Sequence, residues 1–322
     1  MIRAAMAMLA AAVMAGGTLQ EPPQQAPPQD VPQAPQRFRS SADAVTVDVL
    51  VLDGGRAVTG LTAADFELQD SGVVQQIDTV QVLDVPFSMM LALDSSGSLQ
   101  TGRRRLQDAA RAAVDTLHDD DRASVFSFND QIAAPTPWSS SRQEVLAAID
   151  GLRADGSTSL VDAAFTAVLQ RDPEAGRRNL VILFTDGEDT SSWLPDGRAL
   201  EAAERSEAVV YTVAIDKPRE EARRALKFRS GVRLNANQPV LSSDDFLEEL
   251  ASRTGGERLS TGLGGLQKTF RNVVNNFRSR YVLTYAPNGV PEGGWHSIDV
   301  RVKDQKYKVT ARRGYQRRTA EQ

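Results

Sequence analysis

The sequence predicts an α/β fold, a doubly wound and mostly parallel sheet inserted into a small, split antiparallel β-sandwich. Three observations carry this expectation. Nearly continuous apolar runs at Phe87 to Leu93 and Asn179 to Thr185 have the pattern of strands buried on both faces. Segments with apolar residues at three- and four-residue spacing alternate with such runs, as in a parallel sheet covered by helices. Alternating β-branched segments stand before and after this region, and each set holds too few strands to be stable alone, so the two should pair.

At the N-terminus, Met1-Ile2-Arg3 places a positive charge ahead of the apolar stretch Ala4 to Ala15, which is followed by Gly16-Gly17. This is the pattern of a secretory signal peptide over residues 1–17, because the apolar run falls short of the ~20 residues that span a bilayer. Residues 18–36 are almost all Pro, Gln and Ala, a composition that buries no core, and are expected to form an extended tether. The first β part covers 37–85. Ala44 to Leu52 alternates, Asp53-Gly54-Gly55 turns the chain, and Asp65 to Leu68 and Val73 to Val82 give further strands around Asp70-Ser71-Gly72.

The α/β region is expected over 86–280. After Phe87 to Leu93, a helix is set by Leu106, Ala109, Ala110, Ala113, Val114 and Leu117, and His118-Asp119-Asp120-Asp121 ends it as a solvated turn. Then follow a strand at Ala123 to Phe128, helices at Glu144 to Leu152 and Leu160 to Gln170, the strand Asn179 to Thr185, a helix at Glu201 to Ala208 and a strand at Val209 to Ile215. Lys217 to Val240 is charged and irregular, with a short helix around Glu220 to Lys227. Asp244 to Arg253 is a helix stopped by Gly255-Gly256, Glu257 to Ser260 a short strand, and Leu266 to Phe277 a helix. The second β part, 281–316, holds strands at Tyr281 to Tyr285, Ser297 to Val302 and Tyr307 to Ala311, and residues 317–322 form a tail. Basic residues of this end, among them Arg301, Arg312 and Arg313, suit the solvent face of an edge strand.

With 41% hydrophobic and 25% charged residues the composition is that of a globular protein, and a net charge of −5 gives no general attraction to nucleic acid or anionic membrane. The chain has no cysteine, so neither a disulfide nor a lipidated cysteine can hold it after export. Once the signal peptide is removed no membrane-spanning segment is expected, which points to a secreted or periplasmic, envelope-associated protein.

The chemistry gathers where two buried strands end. Asp94-Ser95-Ser96-Gly97-Ser98 places a carboxylate and two hydroxyls on a tight loop, Thr158 offers a third hydroxyl just before a helix, and Asp186 a second carboxylate after the neighbouring strand. In open α/β sheets ligands sit at the carboxyl ends of strands. Five hard oxygen donors, Asp94, Ser96, Ser98, Thr158 and Asp186, suit one divalent cation, Mg²⁺ first and Mn²⁺ or Ca²⁺ as alternatives. His118 and His296 stand apart from each other and make a poor basis for zinc. Glu188 and Asp189 are expected to be outer-shell or solvated, Asp162 to cap or pack near the Thr158 loop, and Trp193 either to contact a partner or to pack locally.

This constellation resembles the metal-ion-dependent adhesion site of von Willebrand factor A domains, in which a DxSxS loop, a threonine and an aspartate from three segments surround one metal. The match is residue by residue at Asp94, Ser96, Ser98, Thr158 and Asp186, with separations of roughly sixty and thirty residues. The flanks, "LTAADFELQDSG" and "YVLTYAP…GGWHSIDVRVK…RRGY", are similar to a bacterial secreted group related to the same family. The resemblance implies a module that captures a protein partner through the metal, the partner presenting an acidic residue. Two other functions compete. One is a structural or assembly component of the envelope whose metal only stabilises the fold. The other is a metal-dependent hydrolase, for which the chain offers no G-x-S-x-G elbow and no histidine near a candidate serine, so an enzyme is not expected.

Overall fold

The computed structural model describes residues 44–83, 85–174, 176–215 and 241–317. The signal peptide expected over 1–17, the tether expected over 18–36, the short helix expected at Glu220 to Lys227 and the last five residues lie outside the described residues. In chain order the first β part forms β1 (Val45–Asp53), β2 (Arg56–Ala57), β3 (Phe66–Asp70), β4 (Val73–Gln75) and β5 (Ile77–Val82). The α/β part follows with β6 (Phe87–Asp94), α1 (Arg103–Val114), β7 (Arg122–Phe128), α2 (Arg142–Asp150), α3 (Leu160–Leu169), β8 (Arg178–Thr185), α4 (Asp196–Arg205) and β9 (Ala208–Ile215). It continues with α5 (Ser243–Thr254), β10 (Arg258–Thr261) and α6 (Leu266–Arg278), and the chain closes with β11 (Tyr281–Tyr285), β12 (Gly294–Val302), β13 (Lys308–Ala311) and β14 (Gly314–Arg317).

Strand β6 explains why the parallel sheet is doubly wound. All of its residues are buried, and it lies between β8 and β7 in the order β10-β9-β8-β6-β7, with every neighbouring pair parallel. Successive side chains point to opposite faces. Phe87, Met89, Leu91 and Leu93 pack with Leu106 and Ala110 of α1 and with Phe270 and Phe277 of α6. Met90 and Ala92 pack on the other side with Ala164 of α3, Leu200 of α4 and Phe246 of α5. The helix after β6 and the helix after β8 therefore lie on opposite faces, which opens a crevice between the carboxyl ends of these adjacent strands.

The flanking strands form two antiparallel sheets, and each takes strands from both ends of the chain. One has the order β13-β1-β11-β5, with β1 running against β11 so that Val47 faces Leu283. The other has the order β14-β12-β3-β4, with Leu68 facing Val300. Between the sheets Val47, Val49, Leu68, Leu283 and Ile298 share one core. The stretch Val73 to Val82 changes sheets on the way: β4 pairs with β3, while β5 pairs with β11.

Arg280, fully buried, joins the sandwich to the α/β part. Its guanidinium donates to the carbonyls of Gly255, Asp48 and Thr310 and to the Tyr211 hydroxyl. Beside it Arg178 pairs with Asp48 at 2.6 Å. Gly255 is required at this seam, since its φ is +80° and a Cβ there would lie 2.5 Å from the Arg312 backbone nitrogen.

Three expectations change. Asp121 is buried rather than solvated: it accepts from the backbone N–H of Phe87 and of His118 and pairs with Arg278 at 2.6 Å, fixing the start of β6 to the end of α6. A charge run marks solvent only when no strand start needs an acceptor, and here one does. Arg312 and Arg313 do not simply line a solvent face. Arg312 donates to the carbonyls of Glu204 and Ser206, and Arg313 reaches Glu249, so both tie the sandwich to α4 and α5. Residues 314–317 pair with β12 as an edge strand that short, charged sequence does not announce.

At one end of the sandwich a buried polar cluster spans both sheets. Asp70 accepts from Tyr285 at 2.8 Å and Tyr315 at 2.9 Å, and His296 Nδ1 lies 2.8 Å from its other oxygen. Burial alone would raise the Asp70 pKa, but hydrogen bonds from His296, Tyr285, Tyr315 and Ser71 together outweigh it and hold the carboxyl below the usual aspartate range. A carboxylate depressed in this way lends stability that is present above its ordinary value and lost as pH falls through the lowered one. Asp70→Asn is expected to cost on the order of 3 kcal/mol at pH 7 by breaking a buried charged cluster, and to flatten the acid limb of stability below about pH 4. Urea unfolding of both proteins from pH 3 to 7 checks this (a range set by ordinary carboxyl values of roughly 4), and parallel pH profiles would show that Asp70 carries no such linkage.

Candidate functional site

The crevice at the end of β6 and β8 is where the five oxygen-bearing residues come to lie. Asp94 is the last residue of β6 and is buried. Its Oδ1 accepts from the Ser96 backbone N–H at 2.8 Å, which folds the chain back over the strand end, and a short 3₁₀ turn at Gly97–Leu99 follows. The other oxygen accepts from the Thr185 hydroxyl at 2.6 Å. Ser96 Oγ and Ser98 Oγ are 3.0 Å apart, and the Ser98 hydroxyl donates to Asp186 Oδ1 at 2.8 Å. Asp94, Ser96, Ser98 and Asp186 are thus linked edge to edge across two strands.

Thr158 arrives from a third segment. Its backbone N–H donates to Thr190 Oγ1, and its carbonyl accepts from the N–H groups of Thr190 and Ser191. A Cβ built on Gly187 would lie 3.2 Å from Thr158 Oγ1 and 3.8 Å from Asp94 Oδ2, so these two oxygens converge on the same small volume, kept open because residue 187 has no side chain. The Thr158 hydroxyl takes no part in capping α3. That helix start is served by Asp189, which accepts from the Leu160 N–H at 3.0 Å, and by Ser192, which accepts from Val161 and Asp162.

Backbone bonds between the loops hold the arrangement. The N–H of Ser95 donates to the Phe128 carbonyl, that of Gly97 to Gly156, that of Asp155 to Ser95 and that of Ser159 to Asn129. Asp162 does not cap α3 but accepts from the N–H groups of Trp193 and Leu194, holding the loop ahead of α4. Asp189 is buried and caps α3 instead of facing solvent, and Trp193 is 84% exposed. Thr185 is the positioning residue that sequence reasoning missed. Its signal is a hydroxyl at the last position of an otherwise apolar buried strand.

Burial, in the first place, and the neighbouring Asp186 charge raise the Asp94 pKa to about 6, against hydrogen bonds from Thr185 and Ser96 that lower it. A carboxylate so placed gains from a nearby cation. The donors present are two carboxylates and three hydroxyls, all hard oxygens. The residues therefore fit a hard divalent cation held by Asp94, Ser96, Ser98, Thr158 and Asp186.

Comparison with known proteins bears on the fold. Residues 89–188 match the family model described as the von Willebrand factor type A domain. A von Willebrand factor type A protein from Catenulispora acidiphila superposes with a TM-score of 0.50 at 14% identity, covering 88% of this chain and 76% of that one. Proximal thread matrix protein 1 from the mussel byssus, solved with a zinc-occupied MIDAS motif, gives a TM-score of 0.48 at 16% identity, over 65% of this chain and 49% of that one. An aerotolerance-related membrane protein from Bacteroides fragilis gives 0.43 at 17% identity, over 59% of this chain and 98% of that one. No curated protein matches. At such identities the likeness is one of fold, and the fold of the parallel sheet with its helices is of the von Willebrand factor A type.

Because the folded-state pKa of Asp94 is raised, its contribution favours the metal-free fold fully below the ordinary aspartate value and is lost as pH rises through about 6. Ionising it at neutral pH costs on the order of 2–3 kcal/mol. Asp94→Asn is expected to recover most of that cost, raising metal-free stability at pH 7 and flattening its slope between about pH 4 and 6. Thermal melts in EDTA across this range check it. A variant less stable than the parent at pH 7 would contradict the buried-charge account.

Proposed function

We propose that this von Willebrand factor A-type unit is a protein-binding module that captures its partner through one divalent cation, Mg²⁺ in the first place. The observation that carries the proposal is the convergence of Asp94, Ser96, Ser98, Thr158 and Asp186, from three segments, on the crevice between β6 and β8. Three of these five donors are neutral hydroxyls and two are carboxylates, so a cation that takes about six oxygens keeps a position for an oxygen from outside. Bound there, the cation would supply a Lewis-acidic centre for a carboxylate of the partner. The protein's own residues do the positioning: Thr185 and the Ser96 N–H fix Asp94, Asp186 orients Ser98, and Gly187 leaves space beside Thr158.

Binding rather than turnover is our reading, with neither histidine at the crevice. His296 is buried in the sandwich, and His118 precedes β7, at the end opposite the strand tips that form the crevice. An envelope or secreted location is proposed from the signal-like N-terminus. Among the described residues no helix is long and apolar enough to cross a membrane.

Calorimetry of the full chain with MgCl₂ is expected to show one site, lost in the double variant Asp94→Ala and Asp186→Ala. Unchanged affinity in that variant would refute the site. A pull-down from envelope extract with and without EDTA then reads partner capture. Thr158→Ala should weaken capture more than it weakens Mg²⁺ binding, whereas Asp94→Ala should lose both. Since Asp189 and Ser192 cap α3, Thr158→Ala should leave the melting temperature nearly unchanged, and capture that merely follows stability would rule out a metal latch.

A further inference from the structure

We infer that the groove between α3 and α4 is a second interaction surface, a docking site for an amphipathic helix of a partner protein whose apolar face is flanked by acidic residues. Phe165 of α3 and Leu194, just ahead of α4, are only partly covered by the core, and Leu169 at the end of α3 is 53% exposed. These residues line one groove with Val168 and Ala202. Phe165, Val168 and Leu169 have the spacing of a single helix face, and each of the two helices is ten residues, or about 15 Å, long, which matches two to three turns of a docked helix.

The rim identifies the occupant. Arg171, Arg198 and Arg205 border the groove against the single carboxylate of Glu201, in a chain whose net charge is −5. Glu201 is shared between Arg205 at 2.9 Å and Arg198 at 3.6 Å, and Arg171 has only the distant Glu207 at 3.8 Å, so positive charge is in excess and these guanidinium groups stay more than half exposed. An apolar floor with a cationic rim complements an apolar stripe with anionic edges, and disfavours a basic helix of equal hydrophobicity. The floor is also held in place: Asp162 fixes the backbone of Trp193 and Leu194, and the Trp138 indole N–H donates to the Arg171 carbonyl at 3.1 Å. A pre-organised surface loses little ordering entropy on binding.

No metal-loop residue lines this groove, and Leu169 lies at the far end of α3 from Thr158, so the test is separable from that of the metal site. Fluorescence anisotropy of the full chain in EDTA would compare two labelled amphipathic peptides of equal length and helicity, one of Leu and Glu and one of Leu and Lys. The Leu/Glu peptide is expected to bind, more weakly as salt rises, and to slow hydrogen exchange in residues 165–171 and 194–206. Leu169→Asp and the pair Arg198→Ala with Arg205→Ala should each weaken it, Leu169→Asp by about tenfold or more, at unchanged melting temperature. The substituted side chains are exposed, and the arginine pair stands as an independent arm if Leu169→Asp fails to fold. The inference is overturned by absence of binding, by equal binding of the Leu/Lys peptide, by slowed exchange elsewhere, or by affinity indifferent to these substitutions. Self-association abolished by Leu169→Asp would assign the groove to a second copy of the chain, and preference for phosphatidylglycerol vesicles over the peptide would assign it to lipid. Either result overturns it as well.

Discussion

A carboxylate held out of water at the tip of the most buried strand is the constraint on which the rest of this structure depends. Strand β6 must be apolar on both faces to lie inside the sheet between β8 and β7, yet it ends in Asp94, which is buried with it. Leaving an ionised carboxylate there is costly unless donors or a cation meet it. The surrounding loops meet it with the Thr185 hydroxyl and the Ser96 N–H, and by carrying Ser98, Asp186 and Thr158 to the same place. The two-sided helix layers, the crevice and the oxygen cluster therefore have one origin: a strand buried on both faces whose final residue is a carboxylate.

Much of this was legible in the residue pattern because the signals are dense and local. The apolar run Phe87 to Leu93 can be satisfied only by burial on both faces, and a carboxylate directly after such a run has to stand at a strand end. The oxygen-bearing residues themselves lie at loop positions fixed by strand and helix boundaries. Positions whose meaning depends on distant partners were not legible. Asp121 looks like one of three equivalent aspartates until Arg278 and the N–H of Phe87 are brought to it. Asp70 looks like an ordinary turn residue, although it gathers Tyr285, His296 and Tyr315 from strands far along the chain. In both cases the side chain's role comes from tertiary neighbours that no local periodicity encodes.

The seam between the two parts of the fold follows a similar logic. Arg280 is fully buried and donates to three carbonyls, so it acts as a polar rivet where the last helix becomes the sandwich. Arg312 and Arg313 add further fastenings from the edge strands to α4 and α5. These contacts fix how the crevice is presented relative to the sandwich, because α6, the seam and β11 are continuous in sequence.

The split pairing of the sandwich also imposes an order of events. Asp70 and Tyr285 are 215 residues apart, yet their side chains meet in the same core. Such contacts are entropically remote while the intervening chain is loose, and become near neighbours once the parallel sheet has folded and drawn its two ends together. Strands β1 and β3 must therefore wait, paired only with their short neighbours β2 and β4, for the last strands to be made and delivered. In a chain made from one end to the other, those waiting strand edges are the part most in need of protection from other strands, and completion of the sandwich is what closes them.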